Sequence, residues 1–214
     1  MDKKVKFSVL LSVYFKEKRE NLKLALKSIY EDQILKPDEI ILVEDGPLSK
    51  ELYSEIEYQL DNLKGILKIV KLEKNSGLGN ALKEGVLHCN YEWIARMDTD
   101  DVSYPERFFK QAKFIENNLS VDVVGTFMTE FINDIDNKIC VKDAPTRNIE
   151  NYIKYRDPVN HPSVFLRKSK VFIFDEPTSN LGPFLELEYY KNITLWEDIS
   201  IPDWNNNDTL IREK

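Results

Sequence analysis

The sequence predicts an α/β fold built on a mostly parallel sheet with helices on both faces. Over the first 120 residues, short apolar runs alternate with segments whose apolar residues recur at helical spacing. The apolar runs are nearly continuous, which is typical of strands buried on both faces of a parallel sheet. Several of them end in acidic residues, and ligands of open α/β sheets bind beyond the carboxyl ends of the strands. Right-handed strand–helix–strand units account for all three observations.

Four strands are expected in the first hundred residues, at 7–14, 39–43, 66–72 and 93–97. The helices between and after them are expected at 20–33, 52–63, 78–86 and from Pro105 onward, where proline suits the first turn of a helix. Their apolar residues share one face, and Trp93, Phe108 and Phe109 are expected in the core.

The second half of the chain carries weaker patterns. Strands are expected at 121–126, within 127–142 and at 161–167, with a short helix around 148–155. The character of the sequence changes beyond about residue 170, so we expect one domain at 1–168 and a divergent tail at 169–214, with an incomplete acceptor region as one interpretation of the tail. Residues 203–214 are polar and are expected to fray.

Composition limits the classes of function. The 214 residues are 42% apolar and 31% charged, as in a globular domain, and the net charge of −7 disfavours nucleic acid as a main partner. A membrane span needs roughly 18 apolar residues in a row, which the sequence lacks, and its charged start does not resemble a signal peptide. We therefore expect a cytoplasmic protein, with Cys89 and Cys140 as buried structural thiols.

An acidic cluster follows the fourth predicted strand. Asp98, Asp100 and Asp101 lie within four residues and repel one another unless a cation, hydrogen bonds or water compensates. Carboxylate oxygens suit Mg²⁺ or Mn²⁺. The alternative is a solvated turn that caps the helix after Pro105.

Five stretches together resemble the family 2 inverting glycosyltransferases, nucleotide-sugar enzymes of the GT-A type. The stretches are Ser12-Val13-Tyr14, Glu44-Asp45-Gly46, residues 75–81 with Asn75, Gly77 and Asn80, residues 96–101, and His161-Pro162-Ser163. The resemblance covers about residues 5–168. It implies transfer of a sugar from a UDP- or TDP-sugar to a carbohydrate or lipid-linked acceptor in bacterial surface polysaccharide synthesis. We would then expect peripheral association of the protein with the membrane.

The resemblance also implies roles for individual residues. Asp100 is expected to bind Mg²⁺ or Mn²⁺, with Asp98 on the ribose and diphosphate side and Asp101 in support. Asp45 would accept a hydrogen bond from the imide N–H of the base, and Arg96 would pair with the acids or the diphosphate.

The remaining residues of the five stretches are expected around the donor. Ser12, Val13, Tyr14, Glu44, Asn75, Gly77 and Asn80 would surround the nucleotide, and His161 would lie near the diphosphate or the acceptor. Two simpler readings stay open: Asp45-Gly46 as a plain turn, and His161 as a structural turn residue.

The sequence departs from the family where the general base is expected. An inverting transferase needs a carboxylate to take the proton of the acceptor hydroxyl, and the Glu-Asp pair after His161 ends in Asp198, later than expected. Residues 170–184 instead resemble a segment of an ABC-transporter ATPase, although the sequence has no phosphate-binding loop of that class.

Two further classes of function compete with the glycosyltransferase. One is a catalytically impaired domain that binds nucleotide sugars and lacks a complete acceptor half. The other is a sugar-phosphate nucleotidyltransferase, which should carry a Gly-rich, Arg-containing loop after the first strand. Residues 15–20 do not supply that loop.

Overall fold

Two sheets organise the computed structural model, which describes residues 5–132, 134–144, 152, 158–170, 193–195 and 208–213. The strands in these residues are β1 (Phe7–Val13), β2 (Glu39–Glu44), β3 (Leu67–Lys71), β4 (Trp93–Arg96), β5 (Asp101–Ser103), β6 (Val123–Gly125), β7 (Phe127–Ile132), β8 (Asp134–Lys142), β9 (Phe165–Arg167), β10 (Ile193–Leu195) and β11 (Asp208–Glu213). The helices are α1 (Arg19–Ile29), α2 (Lys50–Asn62), α3 (Leu78–His88) and α4 (Arg107–Asn117).

The central sheet has seven strands in the order β10-β6-β9-β4-β1-β2-β3. Neighbouring strands are parallel except where β9 lies antiparallel between β4 and β6. In the middle of the sheet, Val9 lies beside Ile40 on one side and Ala95 on the other. The predicted mostly parallel α/β sheet is confirmed.

Helices cover both faces of this sheet. Because side chains alternate along a strand, Val9 and Leu11 of β1 pack into a core with α1, α2 and α4, while Leu10 packs on the opposite face against α3. Each fully buried Leu or Val contributes roughly 1.5–3 kcal/mol relative to an exposed position. The sheet is therefore held rigidly between two apolar layers.

The helices begin close to their predicted positions. Ser49 caps α2 by accepting a hydrogen bond from Leu52 N at 3.3 Å, and Gly77 precedes α3 with φ +88°. Pro105 lies two residues before α4 begins at Arg107. The region expected as a strand at 161–167 is a 3-10 turn, His161–Ser163, followed by β9.

A second, four-stranded sheet has the order β5-β11-β7-β8. Its strand β11 is antiparallel to β5 and parallel to β7, while β7 and β8 form a hairpin. The expectation that residues 203–214 fray is therefore wrong for 208–213. Both β5 and β11 escaped prediction because they are short, polar and paired with strands distant in sequence, so neither carries a local apolar pattern.

Several side chains differ from expectation. Trp93 and Phe108 are buried as predicted, whereas Phe109 is 37% exposed because it lies on the outer face of α4. Cys89 is a buried thiol, and burial raises its pKa to about 12, but Cys140 is exposed on the hairpin. Of the helix expected around 148–155, only Tyr152 is among the described residues, and it is helical. Of the ATPase-like segment at 170–184, only Lys170 is among the described residues.

The domain boundary at residue 168 remains a prediction.

Among the described helices, none has the length and apolar character that crossing a bilayer requires.

Candidate functional site

A pocket of about 570 Å³ opens at the carboxyl edge of the central sheet, beyond the ends of β1, β2 and β4. This is the edge at which ligands of open α/β sheets bind. The pocket is lined by Ser12, Tyr14, Lys16, Glu17, Lys18, Asn21, Asp45, Asn75, Gly77, Leu78, Asp98, Thr99 and Asp100. Its lining is contributed by loops that are far apart in the sequence, so the parallel topology is what assembles it.

The acidic cluster forms one end of the pocket, in the turn that joins β4 to β5. One carboxylate oxygen each of Asp98, Asp100 and Asp101 lies within 4.8 Å of the others. Opposite ligands of an octahedral Mg²⁺ are about 4.2 Å apart, so a small closure would bring the three oxygens to one ion. Asp98 and Asp100 line the pocket, whereas Asp101 is buried below it on β5.

Two arginines compensate the charge of these acids. Arg96 Nη2 lies 2.7 Å from Asp98 Oδ1, and both side chains are largely buried. Arg107 is fully buried and donates to Arg96 O at 2.7 Å and to Gln111 Oε1 at 3.2 Å. Burial lowers the pKa of Arg107 to about 9, partly offset by nearby Asp101, so the guanidinium still carries its charge at neutral pH. Two cations therefore face three acids.

Asp45 forms the other end of the pocket and is almost completely buried. Its Oδ1 accepts from Ser76 N at 2.7 Å and from Ser76 Oγ at 3.1 Å, and its Oδ2 accepts from Gly77 N at 3.1 Å. These backbone N–H groups precede α3 and have no acceptor within that helix. Asp45 thus fastens the loop after β2 to the start of α3.

Gly46 makes this connection sterically possible. Its φ is +84°, and a Cβ at this position would lie 2.4 Å from Asn75 N. Only glycine allows the two backbones to approach so closely. Asp45-Gly46 is therefore more than a plain turn, because it is joined to residues 75–77.

The predicted donor residues do not all reach the pocket. Ser12, Tyr14, Asp45, Asn75, Gly77, Asp98 and Asp100 line it, while Val13, Glu44, Asn80, Arg96 and Asp101 do not. Val13 is in the apolar core, and Asn80 Nδ2 donates to Ser76 O at 2.8 Å. Glu44 is buried 3.4 Å from Lys71, and burial raises the pKa of its carboxyl. Val13, Glu44 and Asn80 therefore have partners away from the pocket.

His161 lies in the 3-10 turn beside the end of β4. Two hydrogen bonds fix this turn. Ser163 Oγ donates to Asn160 O at 2.8 Å, and the carbonyl of Val164, the residue after the turn, accepts from Arg96 N at 2.8 Å. His161 does not line the pocket. Asp198, the predicted base, lies outside the described residues.

Sequence reasoning missed several residues of the site. Lys16, Glu17, Lys18, Asn21 and Thr99 line the pocket, and Arg107 lies below it. The sequence marks the pocket-lining residues only by position. Lys16, Glu17, Lys18 and Asn21 belong to a polar stretch directly after the first strand, and Thr99 is the middle residue of Asp98-Thr99-Asp100.

Comparison with known proteins identifies related sequences. The model of glycosyl transferase family 2 matches residues 8–174. The amylovoran biosynthesis glycosyltransferase AmsE of Erwinia amylovora is 40% identical over 192 residues, which are 89% of this chain and 68% of that protein. The UDP-Gal:alpha-D-GlcNAc-diphosphoundecaprenol beta-1,3-galactosyltransferase of Escherichia coli is 34% identical over 192 residues, 89% of this chain and 66% of that protein.

A solved structure supports the same fold. The crystal structure of S. aureus TarS 1-349 in complex with UDP-GlcNAc superposes with a TM-score of 0.72 at 21% identity, covering 98% of this chain and 59% of that one. The architecture is therefore that of the GT-A glycosyltransferases. The chain spans about two thirds of the length of these two curated relatives.

Proposed function

The chain belongs to glycosyltransferase family 2, and on that premise we propose that it moves a sugar from a uridine or thymidine diphosphate donor to a carbohydrate or lipid-linked acceptor, assisted by Mg²⁺ or Mn²⁺. The relatives named for amylovoran synthesis and for a diphosphoundecaprenol acceptor favour bacterial surface polysaccharide as the product. The observation that carries the proposal is the acidic cluster at one end of the pocket, with buried arginines behind it.

The metal end of the pocket would hold the diphosphate. Asp100 lies in the pocket wall and is the proposed ligand, Asp98 would face the ribose and diphosphate, and Asp101 would support them from β5. A bound divalent cation would stabilise the negative charge that develops on the leaving diphosphate without donating a proton. Arg96 and Arg107 would keep the acids from repelling one another before the cation arrives.

The other end of the pocket would hold the nucleoside. Tyr14 presents a half-exposed ring at the pocket wall, and aromatic rings stack on nucleobases. Asp45 is fixed by Ser76 and Gly77, and a carboxylate offers about four acceptor positions, so it could also accept from a base imide. Ser12, Asn75 and Gly77 line the space between them. The relative named for UDP-Gal and the TarS complex with UDP-GlcNAc favour uridine.

Inversion at the transferred carbon requires a base on the face opposite the leaving group. Asp198 is our proposed base, and His161 our proposed neighbour of the diphosphate or acceptor. Apart from the acidic cluster and Asp45, Glu17 carries a carboxylate among the described residues that line the pocket, and its oxygens accept hydrogen bonds from Lys18 N, Asn21 Nδ2 and Thr99 Oγ1.

Donor screening tests the proposal. Thermal unfolding of the wild type and of Asp100→Ala would be followed with Mn²⁺ and uridine, thymidine or guanosine diphosphate sugars. We expect a rise in Tm with a uridine or thymidine donor that requires both Mn²⁺ and Asp100. A wild type that no nucleotide stabilises in the presence of Mn²⁺ would contradict the proposal.

A transfer assay then separates an active enzyme from a donor-binding domain. The wild type is expected to hydrolyse or transfer the donor sugar, with an inverted anomeric configuration in the product, and Asp198→Asn is expected to lose this activity while still binding donor. Binding without turnover in the wild type would favour the catalytically impaired domain, and full activity of Asp198→Asn would remove that residue as the base.

A further inference from the structure

We propose that Glu17 is a positioning residue that joins the nucleotide side of the pocket to its metal side through the hydroxyl of Thr99. The link would make nucleotide and divalent cation assist each other's binding. This inference rests on the proposed function and adds a residue that the sequence motifs did not identify.

Thr99 stands in the sequence between Asp98 and Asp100, which both line the pocket. Its side chain is 5% exposed, and its Oγ1 donates to Glu17 Oε2 at 2.8 Å. A second acceptor, Ser12 O, is 3.5 Å away, at the limit for a hydrogen bond. Glu17 is therefore the main partner of the Thr99 hydroxyl, and the bond to a charged acceptor belongs to the stronger class.

Glu17 is itself held in place on the loop between β1 and α1. Its Oε1 accepts from Lys18 N at 2.7 Å and from Asn21 Nδ2 at 3.1 Å, and its own N–H donates to Tyr14 O at 3.0 Å. The carboxylate thus has one oxygen committed to its own loop and the other to Thr99. These hydrogen bonds tie the orientation of the Glu17 carboxylate to both loops.

The two loops that Glu17 connects have different proposed ligands. The loop after β1 carries Tyr14 on the nucleoside side, and the loop after β4 carries Asp98 and Asp100 on the metal side. The loops follow the paired strands β1 and β4, and beyond the strand ends the hydrogen bond between Thr99 and Glu17, 82 residues apart in sequence, joins them. A ligand that orders one loop would lower the conformational cost of ordering the other, and this effect is reciprocal.

The test measures coupling instead of affinity alone. Calorimetric dissociation constants for UDP, with TDP and GDP in parallel, would be obtained with Mn²⁺ and with EDTA for the wild type, Thr99→Val, Thr99→Ser and Glu17→Ala. Couplings between sites are typically 5- to 150-fold. We expect Mn²⁺ to tighten nucleotide binding in the wild type and in Thr99→Ser, and this enhancement to fall about tenfold in Thr99→Val and Glu17→Ala.

Two controls protect the interpretation. The double variant Glu17→Ala/Thr99→Val should lose no more coupling than either single variant, because both remove the same hydrogen bond. Glu20→Gln, an exposed acid in the first turn of α1, should keep the wild-type coupling. Glu17→Ala alters a half-buried side chain, so the link can be tested even if Thr99→Val does not fold.

The outcomes separate this inference from the proposed function. Wild-type coupling that persists in Thr99→Val and Glu17→Ala, or losses that add in the double variant, would overturn the role of Glu17 alone. A wild type in which Mn²⁺ does not affect nucleotide binding would overturn this role together with the metal-dependent function.

Discussion

The two ends of the pocket hold acids that look alike in the sequence but are held differently. At the proposed nucleoside end, Asp45 accepts hydrogen bonds from the backbone N–H and hydroxyl of Ser76 and from the backbone N–H of Gly77. At the proposed metal end, Asp98 pairs with Arg96, and Arg107 lies behind the acidic cluster. Asp45 thus stabilises the backbone around it, whereas the acidic cluster at 98–101 is a group of like charges that a divalent cation would neutralise. A strand that ends in acids therefore does not by itself reveal what the acids do.

The largest effect is expected at the metal end. Asp100→Ala should reduce metal-dependent transfer by about 100- to 1000-fold, the scale of removing one group that stabilises developing charge. Because Asp100 is partly exposed, the free energy of unfolding should change by less than about 0.5 kcal/mol. Steady-state transfer rates and urea denaturation would measure both quantities.

Asp101→Ala is the control matched to Asp100→Ala, because it removes the buried acid of the same cluster. It removes the buried acid that lies near the buried Arg107 guanidinium, so it should lower the free energy of unfolding by about 3 kcal/mol. Equal stability of the two variants would show that burial does not divide the roles of these acids.

The second prediction concerns the backbone that joins β2 to α3. Gly46→Ala should lower the free energy of unfolding by about 2–4 kcal/mol, because the new Cβ would strike backbone atoms of Asn75 and the φ is already +84°. Gly77→Ala has a similar φ of +88° but no atom within 4 Å, so it should cost only about 1–2 kcal/mol. Urea denaturation of the pair separates steric contact from backbone strain, and similar losses would refute the close approach.

The third prediction separates the ends by ligand. Asp45→Asn replaces one acceptor oxygen by a donor NH₂, and we expect UDP affinity to fall about tenfold while the affinity for Mn²⁺ alone stays the same. Calorimetry with each ligand measures this. A comparable loss of Mn²⁺ affinity would mean that the two ends do not act separately.

The smallest effect is expected at Glu44, which adjoins Asp45 but points away from the pocket. Burial raises its pKa in the folded state, so the stability it contributes is present at low pH and is lost as pH rises through that raised pKa. Glu44→Gln should therefore raise Tm relative to the wild type by up to about 3 °C at pH 7 and by less near pH 4. Its ion pair with exposed Lys71 contributes little.

Donor affinity is the control for that variant. Glu44→Gln should bind UDP as the wild type does, and a large loss of UDP binding would restore Glu44 to the donor site.

The sequence was sufficient to predict the α/β sheet because β1, β2 and β4 are continuous apolar runs whose pattern is local. It also predicted that Asp45 and Asp98 would lie at the same edge, because parallel strands share their carboxyl ends. It could not predict that Ser76 and Gly77 donate to Asp45, that Thr99 donates to Glu17, or that Arg107 is buried. Those contacts depend on side-chain direction and on loops that meet only after folding.

The strand β5 has a consequence for how the molecule is made. Asp101 opens this strand, and its backbone lies opposite that of Arg212 in β11, more than a hundred residues later. During synthesis the central sheet from β1 to β4 can form while residues 208–213 are still in the ribosome. Among the described strands, β5, which carries one acid of the proposed metal end, gains its partner β11 after β1 to β4 have paired, so we expect a nascent chain to acquire its apolar core before it acquires cation affinity.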